Sequence, residues 1–338
     1  MKQLRFLVAR IDRIGDVVLS TPLPREIKKT YPDSYVAVLV KNYTKDIYLN
    51  NPNVDEIITY DNPDKTEKSF WELVSEIKQY KFSHAFMLLP NEKLNYVLFF
   101  SGIKYRVGVG HKLYQFLTFS KYVDRKKYIP LRHETDYCLD MVRKIGANVN
   151  EIHPEIFLSE DEKIKAAEIR KSLKKNNELL IGIHVTSGNS SPNLSTKRYL
   201  ELTKVLSKNK KLKVLITDIN LPDELKNISN VEYIFKGETL RKDIIRFATL
   251  DLLVSNSTGP MHICASLKVP TLSVFCPLTA CSPKLWGPLK NKSEIILPTQ
   301  EYCATQCPGD PKKCDFSKDG GLEVEEIVSR IYKFCGLE

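Results

Sequence analysis

Three stretches of the 338-residue chain gather residue types that can do chemistry. The first is Arg10-Ile-Asp12-Arg13-Ile-Gly15-Asp16, which follows an apolar run at positions 4–9. A strand leading into such a loop presents it at the carboxyl end of a sheet, where doubly wound folds bind their ligands. Gly15 lets another chain or ligand approach closely, and Asp16 offers a carboxylate at the mouth of the cleft. The plainer reading of Asp16 is a cap on the helix that follows. Asp12, four residues earlier, is the competing carboxylate.

The second stretch, Val185-Thr186-Ser187-Gly188-Asn189-Ser190-Ser191, again follows an apolar run. Hydroxyls, a glycine and turned backbone amides can cradle a phosphate there, with Lys197 and Arg198 adding charge from the next helix. A solvated loop with two surface cations is the alternative. In the third stretch an apolar run ends in Ser255-Asn256-Ser257-Thr258-Gly259 and a helix opens at Pro260, where the missing N–H does no harm. First-turn amides and the positive end of the helix dipole suit a diphosphate. His262, inside that helix, reads on pattern alone as a hydrogen-bonded packing residue.

Two further groups carry weaker signals. Cys303, Cys307 and Cys314 are irregularly spaced, whereas structural zinc takes four soft ligands at short spacing. Cys281 is a candidate fourth ligand, and incidental reduced thiols are the other reading. Residues 104–144 hold ten Lys and Arg against four acids, interleaved with Tyr105, Tyr114, Phe116, Phe119, Tyr122 and Tyr128. That mixture suits an amphipathic, phosphate-bearing substrate or an anionic bilayer. A nucleic-acid face or a solvated loop region are the alternatives.

These loops need a scaffold, and β-branched runs alternating with amphipathic stretches predict βαβ units and parallel sheets. In the first series the pattern predicts strands at 4–9, 36–40, 57–60 and 84–89, with helices from 17 towards 29 and at 70–79. In the second it predicts strands at 179–184, 213–216, 252–255 and 271–275, with helices at 196–207, 240–247 and 260–267. The fold class is α/β, with domains at 1–160 and 161–321. The last stretch, 322–338, is an amphipathic helix that either packs back on the first lobe or is an ordinary terminal helix.

Composition bounds the rest. Hydrophobic residues at 42% and charged residues at 27% are globular values. No run approaches the ~18 apolar residues of a membrane span, and the N-terminus lacks a signal-peptide core, so a cytoplasmic chain with eight reduced cysteines is expected. A net charge of +10 points to a polyanionic partner. Acidic residues throughout both halves disfavour nucleic acid.

With these segments in hand, the chain resembles glycosyltransferase family 9, the heptosyltransferases of lipopolysaccharide core assembly, over most of its length. The motif from Arg10 to Pro22, His133-Glu134 with Leu139, Lys197-Arg198-Tyr199, Gly237-Glu-Thr-Leu240 and the segment from Ser255 to His262 carry the resemblance, and the C-terminal cysteines recur in some members. It implies GT-B architecture, two Rossmann-like domains facing a cleft, with the acceptor held by the first and a nucleotide sugar by the second. The implied chemistry is inverting and uses no metal or other cofactor. Asp16 would be the general base, with Gly15 and Arg13 beside the acceptor. Thr186, Ser187 and Lys197 would bind donor phosphates, and Ser257, Thr258, Gly259 and His262 would complete the donor site. The implied partners are ADP-heptose, a lipopolysaccharide core or lipid A-type acceptor and, peripherally, the cytoplasmic face of the inner membrane. Three departures stand out: Ser257 replaces an Asp common in the family, the loop from Ser187 to Leu194 is longer, and Thr217-Asp-Ile-Asn220 replaces glycines. They leave room for another nucleotide sugar, or for a nucleotide- or polyanion-binding protein that has lost catalysis.

Overall fold

Side chains that are apolar on both faces of a strand need cover on both sides, and Phe6, Leu7, Val8 and Ala9 have it. They belong to β1 (Arg5–Ala9), at the middle of a parallel sheet in a computed structural model that describes residues 3–175, 177–188, 191–318 and 320–337. The chain divides into two units, Met1–Phe157 and Leu158–Glu338.

In the first unit β1 is joined by β2 (Tyr35–Val40), β3 (Glu56–Thr59), β4 (His84–Met87), β5 (Tyr105–Val109) and β6 (Lys121–Val123), in the order β3-β2-β1-β4-β5-β6. Its helices are α1 (Ile14–Val18), α2 (Pro22–Thr30), α3 (Phe70–Gln79), α4 (Glu92–Phe100), α5 (Leu113–Leu117) and α6 (Glu134–Arg143). One helix towards residue 29 is expected from sequence, but two are present. Pro22 and Pro24 cannot continue a helix begun at Ile14, so α2 starts afresh with Pro22 as its first residue. α3 begins where expected because Ser69 and Glu72 form a reciprocal cap. Leu7, Leu39, Ile58, Leu73, Ile77 and Leu94 share one core.

The second unit repeats the plan. It comprises α7 (Glu160–Leu173), β7 (Leu179–His184), α8 (Thr196–Ser207), β8 (Leu212–Ile216), β9 (Val231–Glu232), α9 (Leu240–Phe247), β10 (Leu252–Asn256), α10 (Gly259–Ser266), β11 (Thr271–Val274), α11 (Pro283–Trp286), β12 (Ser293–Ile296), α12 (Gln300–Thr305) and α13 (Val324–Cys335). Its sheet order is β12-β11-β10-β7-β8-β9, all parallel. Numbered within its own unit, each sheet has the Rossmann order 3-2-1-4-5-6. α13 buries Ile327, Val328 and Ile331 in the second unit's core with Tyr199, Leu202 and Leu206. Its apolar face is thus covered within that unit. Among the described residues no helix is long and apolar enough to cross a membrane.

Candidate active site

In a sheet of this order the strand direction of travel reverses between the first and fourth strands, and ligands bind beyond their carboxyl ends. In the first unit that switch point lies between β1 and β4, and Arg10 spans it. Buried just past β1, Arg10 donates from Nη1 to the Leu88 carbonyl beyond β4 at 3.1 Å. Its remaining donors meet carboxylates: Nε reaches Asp12 Oδ1 at 2.8 Å, Nη2 reaches Asp16 Oδ1 at 2.7 Å, and Nη1 approaches Glu134 Oε1 at 3.4 Å. Glu134 is buried at the start of α6 and is also gripped by Arg125, at 2.6 and 2.8 Å. A guanidinium presents several donors in a fixed plane, so Arg10 fixes the directions of both aspartates at once.

Asp16 lies in the first turn of α1, but it is not the cap expected on the plainer reading. Arg13 is the N-cap and gives no side-chain cap bond, while the Asp16 carboxylate is held by Arg10. The Asp16 and Asp12 side chains are 21% and 26% exposed, so both are reachable from solvent. Gly15 is half-buried and Arg13 exposed on the same turn. Burial lifts the Asp12 carboxyl to about 6; the Arg10 charge opposes the rise and the Asp16 charge adds to it. The same cluster holds Cys138, whose thiol burial pushes up to about 12, with Glu134 adding to the shift. Neither a role for Arg125 and Cys138 nor the full set of partners around Arg10 is legible in sequence, since those partners lie up to 128 residues away.

In the second unit the switch point lies between β7 and β10. The loop leaving β7 is clasped by Asp218, two residues past the adjacent β8. Asp218 accepts from the Val185 amide at 2.7 Å, the Thr186 amide at 3.0 Å and the Thr186 hydroxyl at 2.6 Å. Both hydrogen-bond donors of Thr186 are therefore engaged by a carboxylate rather than free for a phosphate. The half-buried His184 ring lies beside Asp218 at 3.3 Å and Thr217 at 2.9 Å, and loss of solvent lowers its pKa. Farther along, Asn193 donates to the Val185 carbonyl at 2.6 Å and Ser191 to the Ser257 carbonyl at 2.8 Å. Asn256 donates to the Pro192 carbonyl at 2.8 Å and accepts from the Tyr199 hydroxyl. These bonds tie the loop after β7 to the loop after β10. Asn189 and Ser190 of the predicted cradle lie outside the described residues.

A cavity of about 390 Å³ opens on this loop, lined by Thr186, Ser187, Gly188, Ser191, Thr196 and Cys314 and by the charged Lys312, Lys313 and Asp315. Gly188 adopts a φ of +55°, the left-handed region that glycine takes without steric cost. The two lysines follow Asp310, whose side chain caps a short 3₁₀ turn at Pro311–Lys313. Sequence reasoning missed them because a loop after α12 has no pattern that says where it folds. The expected cations behave otherwise. Lys197 is exposed on α8 outside the cavity lining, and Arg198 donates to the carbonyls of Phe316 and Leu322, fastening the C-terminal segment. Thr258 is the extended N-cap of α10, Gly259 its first residue, one before the predicted Pro260, and Ser257, Thr258 and His262 are nearly buried.

The cysteines are all free thiols. A hydrogen bond between the Cys276 and Cys281 thiols lowers Cys281 to about 7 and raises Cys276. Among the described residues no three His, Cys, Asp or Glu side chains are placed to hold a metal ion.

Two Rossmann-like sheets carrying sites at their switch points find counterparts among known proteins. Residues 71–313 match the profile of glycosyltransferase family 9 (heptosyltransferase), a span that starts after the Arg10–Asp16 loop. Lipopolysaccharide heptosyltransferase 2 of Escherichia coli K12 is 24% identical over 312 residues, covering 87% of this chain and 88% of that one. The crystal structure of a family 9 glycosyl transferase from Veillonella parvula DSM 2008 superposes with a TM-score of 0.78 at 19% identity, covering 99% and 98% of the two chains. The structure of E. coli ADP-heptose lps heptosyltransferase II superposes with a TM-score of 0.73 at 17% identity, covering 98% of each. The fold is thus the GT-B arrangement of two Rossmann-like domains. With the profile spanning well over half of its length, the chain belongs to glycosyltransferase family 9, the heptosyltransferases, and is a glycosyltransferase.

Proposed function

We propose that the chain transfers a heptose from ADP-heptose to an inner-core acceptor of lipopolysaccharide, with inversion, at the cytoplasmic face of the inner membrane. The observation that carries this reading is the carboxylate pair held by Arg10 at the first switch point, in a family 9 chain. Two E. coli relatives, an ADP-heptose lps heptosyltransferase and a lipopolysaccharide heptosyltransferase, support the donor and acceptor.

Asp16 is the general base. Arg10 holds Oδ1, and among the described residues Oδ2 has no partner, so it can accept the proton of an acceptor hydroxyl. The freed oxygen attacks the anomeric carbon, the bond from that carbon to the β-phosphate oxygen breaks, and ADP leaves with the electron pair. Lys312, Lys313 and the amide at Gly188 offset the charge gathering on the diphosphate, together with the first-turn amides of α10. Thr186 orders the loop through Asp218 and leaves the phosphates to its neighbours. No step needs a divalent cation, because positive charge and oriented amides supply the stabilisation.

Replacing Asp16 by Asn is expected to lower turnover by about 10²–10⁴, while ADP affinity by calorimetry stays at the wild-type value. Near-normal turnover would remove Asp16 as the base and favour Asp12, whose raised proton affinity is the observation on its side. Transfer is also expected to persist in EDTA. A second reading is a nucleotide-binding protein without transfer, or a transferase for another nucleotide sugar. It is favoured by Ser257 and by the engaged Thr186, and would be supported by tight ADP binding with no product from ADP-heptose.

A further inference from the structure

Short amphipathic helices on soluble domains usually turn their apolar side inward, and α5 does the reverse. Its inward side carries polar anchors beside Tyr114, which packs against the core. Gln115 is 2% exposed, accepts from the Lys112 amide at 2.9 Å and donates to the Val109 carbonyl at 3.4 Å. Buried Thr118 accepts from Asn95 at 2.9 Å, and Ser120 donates to the same asparagine at 3.2 Å. The outward side is apolar: Leu113 is 73% exposed, Phe116 78%, Leu117 54%, and Phe119, in the turn that follows, 86%. Leu113, Phe116 and Leu117 share one helix face by their spacing. Phe119 has a φ of +54°, an unfavourable backbone for a bulky side chain. A polar network thus anchors the segment from inside while four large apolar groups meet water.

The charge in the surrounding segment is predominantly positive. Residues 104–132 include eight Lys and Arg and a single acid, Asp124. Arg106 is buried, Arg125 is committed to Glu134, and Arg132 to Asp136 and Asp140. The other five, Lys104, Lys112, Lys121, Lys126 and Lys127, are exposed. Lys112 precedes the apolar turn, Lys121 follows it on β6, and Lys126 and Lys127 lie just beyond that strand. Protein interfaces are depleted in lysine, whereas exposed apolar residues with exposed lysines before and after them in the chain match the boundary between anionic headgroups and acyl chains.

We propose that α5 and the turn through Phe119 dock this chain on an anionic phospholipid bilayer, the apolar groups entering the headgroup boundary and the lysines meeting lipid phosphates. The inference deepens the reading of a membrane-face transferase and rests on it only for why the chain would meet a bilayer. The test therefore omits donor and acceptor. The chain is expected to sediment with vesicles of phosphatidylethanolamine and phosphatidylglycerol, less in raised salt, and little with phosphatidylcholine alone. F116S/F119S is expected to bind at least about tenfold more weakly with an unchanged melting temperature, and K126E/K127E to lose the preference for anionic lipid. Equal binding by F116S/F119S and wild type, or no binding to anionic vesicles, overturns the proposal. So does binding that appears only when lipid A is added, which would make the patch an acceptor subsite. A dimer abolished by F116S/F119S without vesicle binding would make it a contact between copies. Transfer to a deacylated core oligosaccharide is measured separately: its absence in wild type would sink the proposed reaction and leave the vesicle result standing.

Discussion

Arg10 meets three carboxylates, and one of them, Asp12, has a raised proton affinity. Asp12 takes a proton more readily than an ordinary aspartate, its carboxyl lifted to about 6 by burial and by the neighbouring Asp16. The folded state therefore binds a proton that the unfolded chain releases near the usual value of 3.8. By linkage, Asp12 contributes stability that is complete below the unfolded value and is lost as pH rises through about 6. Asp12→Asn has no titrating group there, so it should gain on wild type by on the order of 2 kcal/mol between about pH 4 and pH 7. The ion pair with Arg10 is already part of the Asp12 proton affinity, and any difference between Asn and the protonated carboxyl is an offset that does not vary over that range. Urea unfolding at both ends of the range gives the comparison, and a difference that does not change with pH would show an ordinary Asp12. In an Asp16→Asn background the window should move to lower pH, since one of the charges raising Asp12 is gone.

At the scale of elements, the second half-site depends on one carboxylate that joins the ends of adjacent strands. The pairing of Ile183 with Ile216 sets β7 beside β8, so the residues just past each strand must meet, and Asp218 takes three donors from Val185 and Thr186. Asp218→Ala leaves two amides and a hydroxyl without their acceptor in a nearly buried place. Each bond to a charged group is worth about 1.5–3 kcal/mol, so a loss of a few kcal/mol in urea and at least about tenfold in ADP affinity are expected. Unchanged or tighter ADP binding would mean that Thr186 acts better when released, against the role given to it here. The strands themselves were readable because buried parallel strands are continuously apolar: 179–184 and the helices at 196–207 and 240–247 coincide with the observed elements. β9, with two residues, and β6, with three, have no such run to read. The switch-point loops could be located for the same reason, but not their contents. Asp218 reads as a turn residue until the register of β7 and β8 is known, and Lys312 and Lys313 are placed by tertiary packing of the loop after α12.

For the whole molecule, each unit holds a sheet of the same order over its own core, so each has the means to fold alone. A fragment of residues 158–338 is expected to unfold cooperatively in urea and to bind ADP, because the loops around the cavity are tied to one another within it. α13 is the part that this fragment cannot lose. Arg198 fastens the chain just ahead of it, and Ile327, Val328 and Ile331 are buried against Tyr199, Leu202 and Leu206. Burying an aliphatic side chain contributes about 1.5–3 kcal/mol, so removing three approaches the 5–15 kcal/mol that holds a domain folded. Ending the chain at Leu322 should therefore leave a second unit that binds hydrophobic dye and melts without a sharp transition. A substitution on the exposed side, Glu325→Ala, should shift the melting temperature little, because that residue lies outside the buried stripe. If the truncated chain melts as sharply as the full one, the core of the second unit closes without α13, and the amphipathic pattern of that helix must answer to some other surface.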